Sequence, residues 1–500
     1  MALYKYKIII PLLLLLLNGY CGKKQSVEPS PLPTTGTISG TVRNAENLSI
    51  LENTLIRTIP GEYTSYSDSS GFFIIPDCPE GQYLLIAAKE KFVNDSANIS
   101  VMAGQTTTAD FNLTPEFERL KWEYMTEEPI YYSVPAIDDE GTIYVGTGVY
   151  LGTTSGCLYA IHPDGTLKWK YDLDHNVTSP VIGEDGTIYV MDSKNVLYAF
   201  EETGTLKWRY ENWENNDFTE VGQRPVAIGY DQTLYVYVGF DLYALHPDGS
   251  RKWVFNPGIS GTPCGASPVI GKDSTIYAIL GGEILYAIRP DGSLKWEFYT
   301  EAWDEHSNTS PALDADDVIY FGTENREGGY VYAVHPNGIL KWRVLAGKER
   351  AVRASPTIGT DGTVYTATKA YSHRRPAEVL AISPEGSINW RFTIESIHFT
   401  PDDVYTTPTI GANGLIYIAA ETGFVYALNP DGTLNWKSDS HGGINWSSPT
   451  LINDGTLYIG AMKNEGGALL ALKTESMGLA NSPWPKFRQN NQNTGRSPKF

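Results

Sequence analysis

The residues of this 500-residue chain that could carry chemistry are eight histidines, four cysteines and a series of acidic turns. No two histidines stand at the HExxH interval or any other close metal-ligand spacing, and no GxSxG elbow offers a nucleophile. His162, His246 and His335 hold one recurring position ahead of proline, where Arg289, Ser383 or Asn429 stand elsewhere. A position that varies so freely reads as a solvated turn. Cys21, Cys78, Cys157 and Cys264 include no neighbours. Cys78 and Cys157 read as small buried hydrophobes rather than as partners in a bridge. The pairs Asp164-Gly165, Asp185-Gly186, Asp248-Gly249 and Asp291-Gly292 lack the alternating oxygen ligands of a calcium loop. They supply instead the positive φ that tight hairpins need. The expectation is a chain with no catalytic residue, no bound metal and no cofactor.

Binding chemistry is the alternative, and it gathers in a few irregular stretches. Glu211–Phe218, Thr300–His306, Lys348–Arg353, Glu395–Tyr405 and His441–Trp446 are rich in aromatic and charged residues. They yield the candidate site: Trp213, Trp303, His306, Arg353, Tyr405 and Trp446, a mixture of aromatics and arginine suited to a binding hot spot. Arg224 joins them. Ser133, Thr178, Ala266, Thr309, Ala354, Thr406 and Ser447 keep one recurring position small, and Arg224 puts a guanidinium there. A charge at a crowded place is costly unless it is paired or used.

The elements that position these residues form a repeat. Thr178–Tyr210 reads as four short strands, Ser179–Ile182, Thr187–Val190, Val196–Phe200 and Leu206–Tyr210, separated by glycine turns. Fourth-strand tryptophans recur at Trp122, Trp169, Trp208, Trp253, Trp296, Trp342, Trp390 and Trp436, spaced 39 to 48 residues apart. Such a period with four strands per unit is the signature of a β-propeller, here of eight blades. The first tryptophan precedes the first repeat and none follows Leu469–Leu472, so the strand around Trp122 is expected to complete the last blade. The recurring tryptophans are read as blade-to-blade packing. Pro483–Phe487 is expected to pack outside the ring as a latch. In a propeller the innermost strand is the first, so the irregular connections share one face and lead into the central channel.

The pattern SPxIGxDGTIYVG followed by LYAIxPDGTLKW resembles the PQQ-like propeller repeat, a family that includes quinone dehydrogenases and the BamB-type lipoproteins of outer-membrane assembly. The resemblance covers residues 119–474 and implies the propeller fold. A quinone enzyme of that family would show an adjacent cysteine pair, which this chain lacks. Residues 36–114, with GTV, DSSGFF, PEGQYLL and a late GQTT before FNL, resemble the carboxypeptidase regulatory-like domain. That resemblance implies a transthyretin-like β-sandwich of about seven strands and no catalysis.

Ahead of both domains, residues 1–20 carry Lys5 and Lys7 and then the apolar run Ile8–Leu17, the form of a secretory signal. Cys21 resembles a lipoprotein acylation site, and 21–35 reads as a polar tether. The fold class is therefore all-β: a small sandwich at 36–114, an eight-bladed propeller at 119–474 and a tail at 475–500. The net charge of −20 disfavours nucleic acid. The function expected is a non-catalytic, exported, lipid-anchored scaffold of the cell envelope. It would be monomeric, touch the membrane only through its anchor, and take a protein partner or, alternatively, a glycan.

Overall fold

The computed structural model describes residues 34–45, 48–89, 92, 94–113, 119–148, 155–211, 213, 225–259, 266–281, 284–300, 309–324, 328–370, 376–394, 403–440, 442–444 and 446–498. They divide into two compact units, 1–117 and 118–500. Every named element is a β-strand.

In the first unit two sheets enclose one core. Thr35–Asn44 lies between Phe72–Pro79, antiparallel to it, and the parallel strand Thr106–Thr108, and it also pairs with Phe111–Leu113. The second sheet runs Thr64–Tyr66, Leu55–Ile59, Gly81–Ala88, Asp95–Val101. Alternation along each strand turns Ile38, Val42, Phe73, Ile75, Leu85 and Phe111 inward, giving the sandwich its core. Cys78 is a free, buried thiol in that core, as its sequence context suggests.

The second unit contains eight sheets, each with a four-strand antiparallel path. In chain order they span 136–173, 181–210, 227–255, 269–299, 312–345, 357–393, 409–439 and 450–473, numbered sheets 1 to 8 below. An extra strand, Arg350–Val352, pairs with the far end of the second strand of sheet 6, Val364–Ala370, whose near end takes the first strand. Sheet 8 takes its fourth strand, Leu120–Thr126, from the start of the unit. Joining the two chain ends in one sheet removes two open edges.

The recurring tryptophans explain how neighbouring sheets are held. Each lies across a tyrosine of its own second strand, as Trp253 does on Tyr235 with ring centroids 5.8 Å apart. Its indole N–H donates to a carbonyl in the next sheet's final turn: Trp122 to Pro163, Trp208 to Pro247, Trp296 to Pro336 and Trp390 to Pro430. The turn glycine is needed twice. Gly432 has φ of 86°, and a Cβ there would lie 2.6 Å from the Trp390 ring. Where the chain ends break the pattern, the contact is rebuilt with charge. Trp436 donates to the Glu475 carboxylate at 3.1 Å, Glu475 pairs with Arg119 at 2.8 Å, and that guanidinium sits 3.8 Å from the Trp436 ring centre.

The acidic turns are tied to the same strands. Lys252 pairs with Asp231 at 2.9 Å, Lys295 with Asp273 at 2.9 Å, and Lys121 of the closing strand with Asp454 at 3.5 Å. Partial burial pushes the Asp231 carboxyl upward. Hydrogen bonds from Lys252 and Thr233 outweigh it and leave the group below its ordinary pKa.

The inner strands meet through their Ser-Pro motifs. The hydroxyls of Ser179, Ser310, Ser355 and Ser448 accept main-chain N–H groups from the preceding sheet at 2.8 to 2.9 Å. The C-terminal segment fills what remains of the axis, which corrects the expectation that Pro483–Phe487 packs outside the ring. Ile137, Ile182, Ile228, Ile270, Ile358 and Ile410, each the last residue of a first strand, donate N–H to the carbonyls of Asn491, Gln492, Thr494, Gly495, Trp484 and Pro485. Asn491 reaches Leu451 of sheet 8, and the Ser497 hydroxyl reaches Asp317 of sheet 5. The tail is thus bonded to all eight sheets. An inner strand has an unpaired edge facing the axis, and buried donors there require acceptors.

Removing the closing strand should damage more than one blade. A chain starting at Glu128 should melt well below the parent in a thermal scan, whereas a shift of a few degrees would contradict the pairing. Trp253→Ala, with the closing strand intact, should cost about 3–5 kcal/mol in denaturant unfolding.

Candidate functional site

The end of the axis away from the tail carries an arc of large side chains. Tyr132, Arg353, Tyr405 and Trp446 each stand directly before the small residue that opens an inner strand, in sheets 1, 6, 7 and 8. Those small residues fix the backbone beneath them. Ser133 and Ser447 accept the N–H groups of Gly146 and Gly460 at 2.8 Å, and Thr406 accepts that of Ala419 at 3.1 Å. Each hydroxyl bonds its own sheet's second strand, so the preceding residue is thrown toward the mouth from a rigid base.

The rings pack as a continuous row. Tyr405 and Trp446 have centroids 4.6 Å apart at 32°, Tyr132 and Trp446 6.3 Å at 34°, and Tyr131 and Tyr132 4.6 Å at 69°. The Trp446 N–H donates to the Tyr131 carbonyl at 3.1 Å, which ties sheet 8 to sheet 1. All four rings are half-buried.

Charge surrounds one end of this row. Lys369 donates to the Tyr405 hydroxyl at 2.7 Å and pairs with Asp403 at 3.2 Å, and the Tyr405 hydroxyl donates to the same Asp403 oxygen at 3.1 Å. Burial, and then the Asp403 charge, drive the Tyr405 phenol well above its ordinary pKa, so it stays a neutral donor. The second oxygen of Asp403, Oδ1, is buried and has no hydrogen-bond partner among the described residues. Arg353 pairs with Glu324 at 2.5 Å. The arrangement offers half-buried stacking faces beside paired charges, which suits non-covalent capture.

Of the residues singled out in the sequence, the structure brings Tyr405 and Trp446 together and places Arg353 on the same arc. Trp213 is elsewhere. It is buried at the seam between sheets 2 and 3, edge-on to Tyr210 at 4.5 Å and Tyr243 at 4.8 Å, with its indole N–H on the Asn195 carbonyl. Packing uses up that side chain. Arg224, Trp303, His306, Cys21 and Cys264 lie outside the described residues. Tyr131, Tyr132, Lys369 and Asp403 were not singled out, although Tyr132 shares the repeat position of Tyr405 and Trp446, and that register could have found it.

A profile of the outer membrane protein assembly factor BamB matches residues 118–257 and 327–477, more than half of the chain. The chain belongs to that family. A carboxypeptidase regulatory-like domain profile matches 37–114. Among solved structures, BamB from Moraxella catarrhalis is similar at 15% identity and a TM-score of 0.54, covering 71% of this chain and 99% of that one. The C-terminal WD40 domain of Sif2 has 12% identity and a TM-score of 0.53, with 70% and 98% covered. The Dos1 propeller has the same identity and score, with 73% and 97% covered. These likenesses establish the propeller fold. No match is found among curated protein sequences.

The quinone that a dehydrogenase resemblance would imply does not fit the residues here. Cys78 and Cys157 fall in different units, and both are buried free thiols. No two of the four cysteines are neighbours, and the tail fills one end of the axis. Among the described residues no cluster of three His, Cys, Asp or Glu side chains is arranged to hold a metal. No helix among them is long and apolar enough to cross a membrane, which does not bear on β-barrels.

The Lys369–Asp403 pair should behave as a coupled unit. Lys369→Met alone strands a buried carboxylate and should destabilise more than Lys369→Met combined with Asp403→Asn. A double-mutant cycle should give a coupling of about 1–3 kcal/mol, and a value near zero would show that the pair is solvated.

Proposed function

We propose that the chain is a non-catalytic scaffold of the cell envelope, exported and anchored by a lipid on Cys21, which captures a protein partner at the mouth carrying Tyr405 and Trp446. The observation that carries this reading is the row of four half-buried aromatics on rigid strand starts, flanked by paired charges. Aromatic anchors ringed by polar groups are the usual make-up of an interface hot spot. Family membership supports a role in protein interaction, since the matching profile is named for an assembly factor. Each of the eight sheets is a blade of the propeller, and the sandwich at 36–114 is a spacer between anchor and propeller. Arg353 belongs to this capture surface, and Arg224, Trp303 and His306 are assigned to partner capture with it, whereas the Trp213 ring is taken up by packing against Tyr210 and Tyr243.

A glycan is the competing ligand, because stacked rings beside a carboxylate also suit a sugar. The test uses a photo-crosslinking residue in place of Tyr132 in cells, with Arg224→Ala and Trp446→Ala introduced together. The parent should crosslink to a discrete protein partner. The double variant should lose that adduct while keeping the parent's melting temperature. An undiminished adduct would remove these residues from the site, and specific retention on a glycan array without a protein adduct would favour the sugar.

A further inference from the structure

The end of the axis opposite the aromatic row encloses residues 484–495 of the chain itself. Six first strands present the same main-chain donor: the N–H groups of Ile137, Ile182, Ile228, Ile270, Ile358 and Ile410 all point at one segment, residues 484–495, over 2.7 to 3.0 Å. The carbonyls just before those isoleucines are acceptors for its side chains. Arg488 donates to Pro225 at 3.0 Å and to Val226, while the Asn493 amide donates to Pro180 at 3.1 Å.

Several side chains of the segment are almost wholly enclosed. Trp484, Arg488 and Asn493 are 1%, 2% and 0% exposed. Trp484 belongs to the hydrophobic cluster that includes Leu313, Ile358 and Leu380. Lys486 is fully buried as well, and its ammonium bonds only neutral oxygens, the Asn493 side chain at 2.7 Å and the Asn490 carbonyl at 3.1 Å. Among the described residues neither Lys486 nor Arg488 has a carboxylate partner. The Lys486 bonds stay within the segment and shape it, whereas Arg488 is taken up by ring carbonyls through geometry and not by countercharge. Burial, and then the Arg488 charge, push the Lys486 pKa well below that of an ordinary lysine.

The segment also enters from outside the ring's own repeat. The last ring strand ends at Lys473, and the chain then passes through Met477, which is 68% exposed, before it turns into the axis. The sheets are complete without it, because each has its four strands from residues 120–473.

We propose that this end of the axis is a peptide-binding site, that residues 479–498 are its resident ligand, and that it takes a turn-rich peptide carrying an aromatic, an arginine and an asparagine amide spaced as in Trp484, Arg488 and Asn493. The site is independent of the partner surface at the other mouth. Main-chain hydrogen bonds from six separate first strands supply affinity, and the enclosed side chains supply selectivity.

The test inserts a protease recognition sequence after Met477 in the full-length chain, cleaves it, and adds a fluorescent peptide of residues 479–498. The cleaved tail should co-elute with the ring and should exchange with the labelled peptide saturably. Unlabelled peptide should compete, and Arg488→Ala and Asn493→Ala peptides should compete at least about tenfold more weakly. Uncleaved parent should take up none, whereas full-length Arg488→Ala, with its own tail weakened, should take up some. Failure of both the cleaved chain and the Arg488→Ala chain to bind the peptide would overturn the proposal. So would equal competition by the variant peptides, or loss of the β-sheet circular dichroism on cleavage, since the ring would then need the tail's covalent continuity.

Discussion

The contact on which the propeller unit depends is the indole N–H of one sheet bonded to the turn of the next. A four-stranded sheet of this length cannot cover both of its faces, and its neighbours must do so. The tryptophan does this in one residue: its ring covers the tyrosine of its own sheet and its polar edge engages the following turn. Because the link runs from each sheet to the next, the ring must close or leave one indole and one turn unserved. Arg119 and Glu475 answer that requirement where the turn is missing. They are a charged replacement at the one seam where two chain ends meet.

Closing the ring creates a second constraint at its centre. Eight short inner strands converge on the axis, each with one edge unpaired by its own sheet. At one level serine hydroxyls from neighbouring sheets satisfy part of that edge. At the next level the tail satisfies another part. What is left over is the opposite mouth, where side chains on the same register point outward from backbones held by Ser133, Thr406 and Ser447. The acidic surface and the paired Lys369, Arg350 and Arg353 also fit together. The cations at this face are held by Asp403, Glu378 and Glu324 at 2.5 to 3.2 Å, so the surface is polar without being a basic patch.

Much of this was legible in the residues because it is periodic. Trp, Gly and Ser-Pro recur at fixed intervals, and each has a single physical task that repeats with it. The offset of Trp122 from the first full repeat disclosed how sheet 8 is completed. The tail was misjudged because it has no period and no hydrophobic alternation. Its role comes from main-chain carbonyls meeting donors far away in sequence, which composition does not reveal. The site was half legible. Tyr405 and Trp446 stood out as aromatics in irregular loops, but so did Trp213, and only the neighbouring Tyr210 and Tyr243 show that its ring is consumed by packing. Tyr132 went unnoticed beside another tyrosine despite sharing the register, and Asp403 looked like one more acidic loop residue until Lys369 was beside it.

The central claim is that the axis is a hydrogen-bonded hub, sealed at one end by the chain's own tail. Residue-resolved amide hydrogen exchange tests it most directly. The N–H groups of Ile137, Ile182, Ile228, Ile270, Ile358 and Ile410 should exchange as slowly as those of the central strands, through global unfolding alone. If these six exchange rapidly while the second-strand amides stay protected, the tail is not seated in the axis and the account of the hub is wrong.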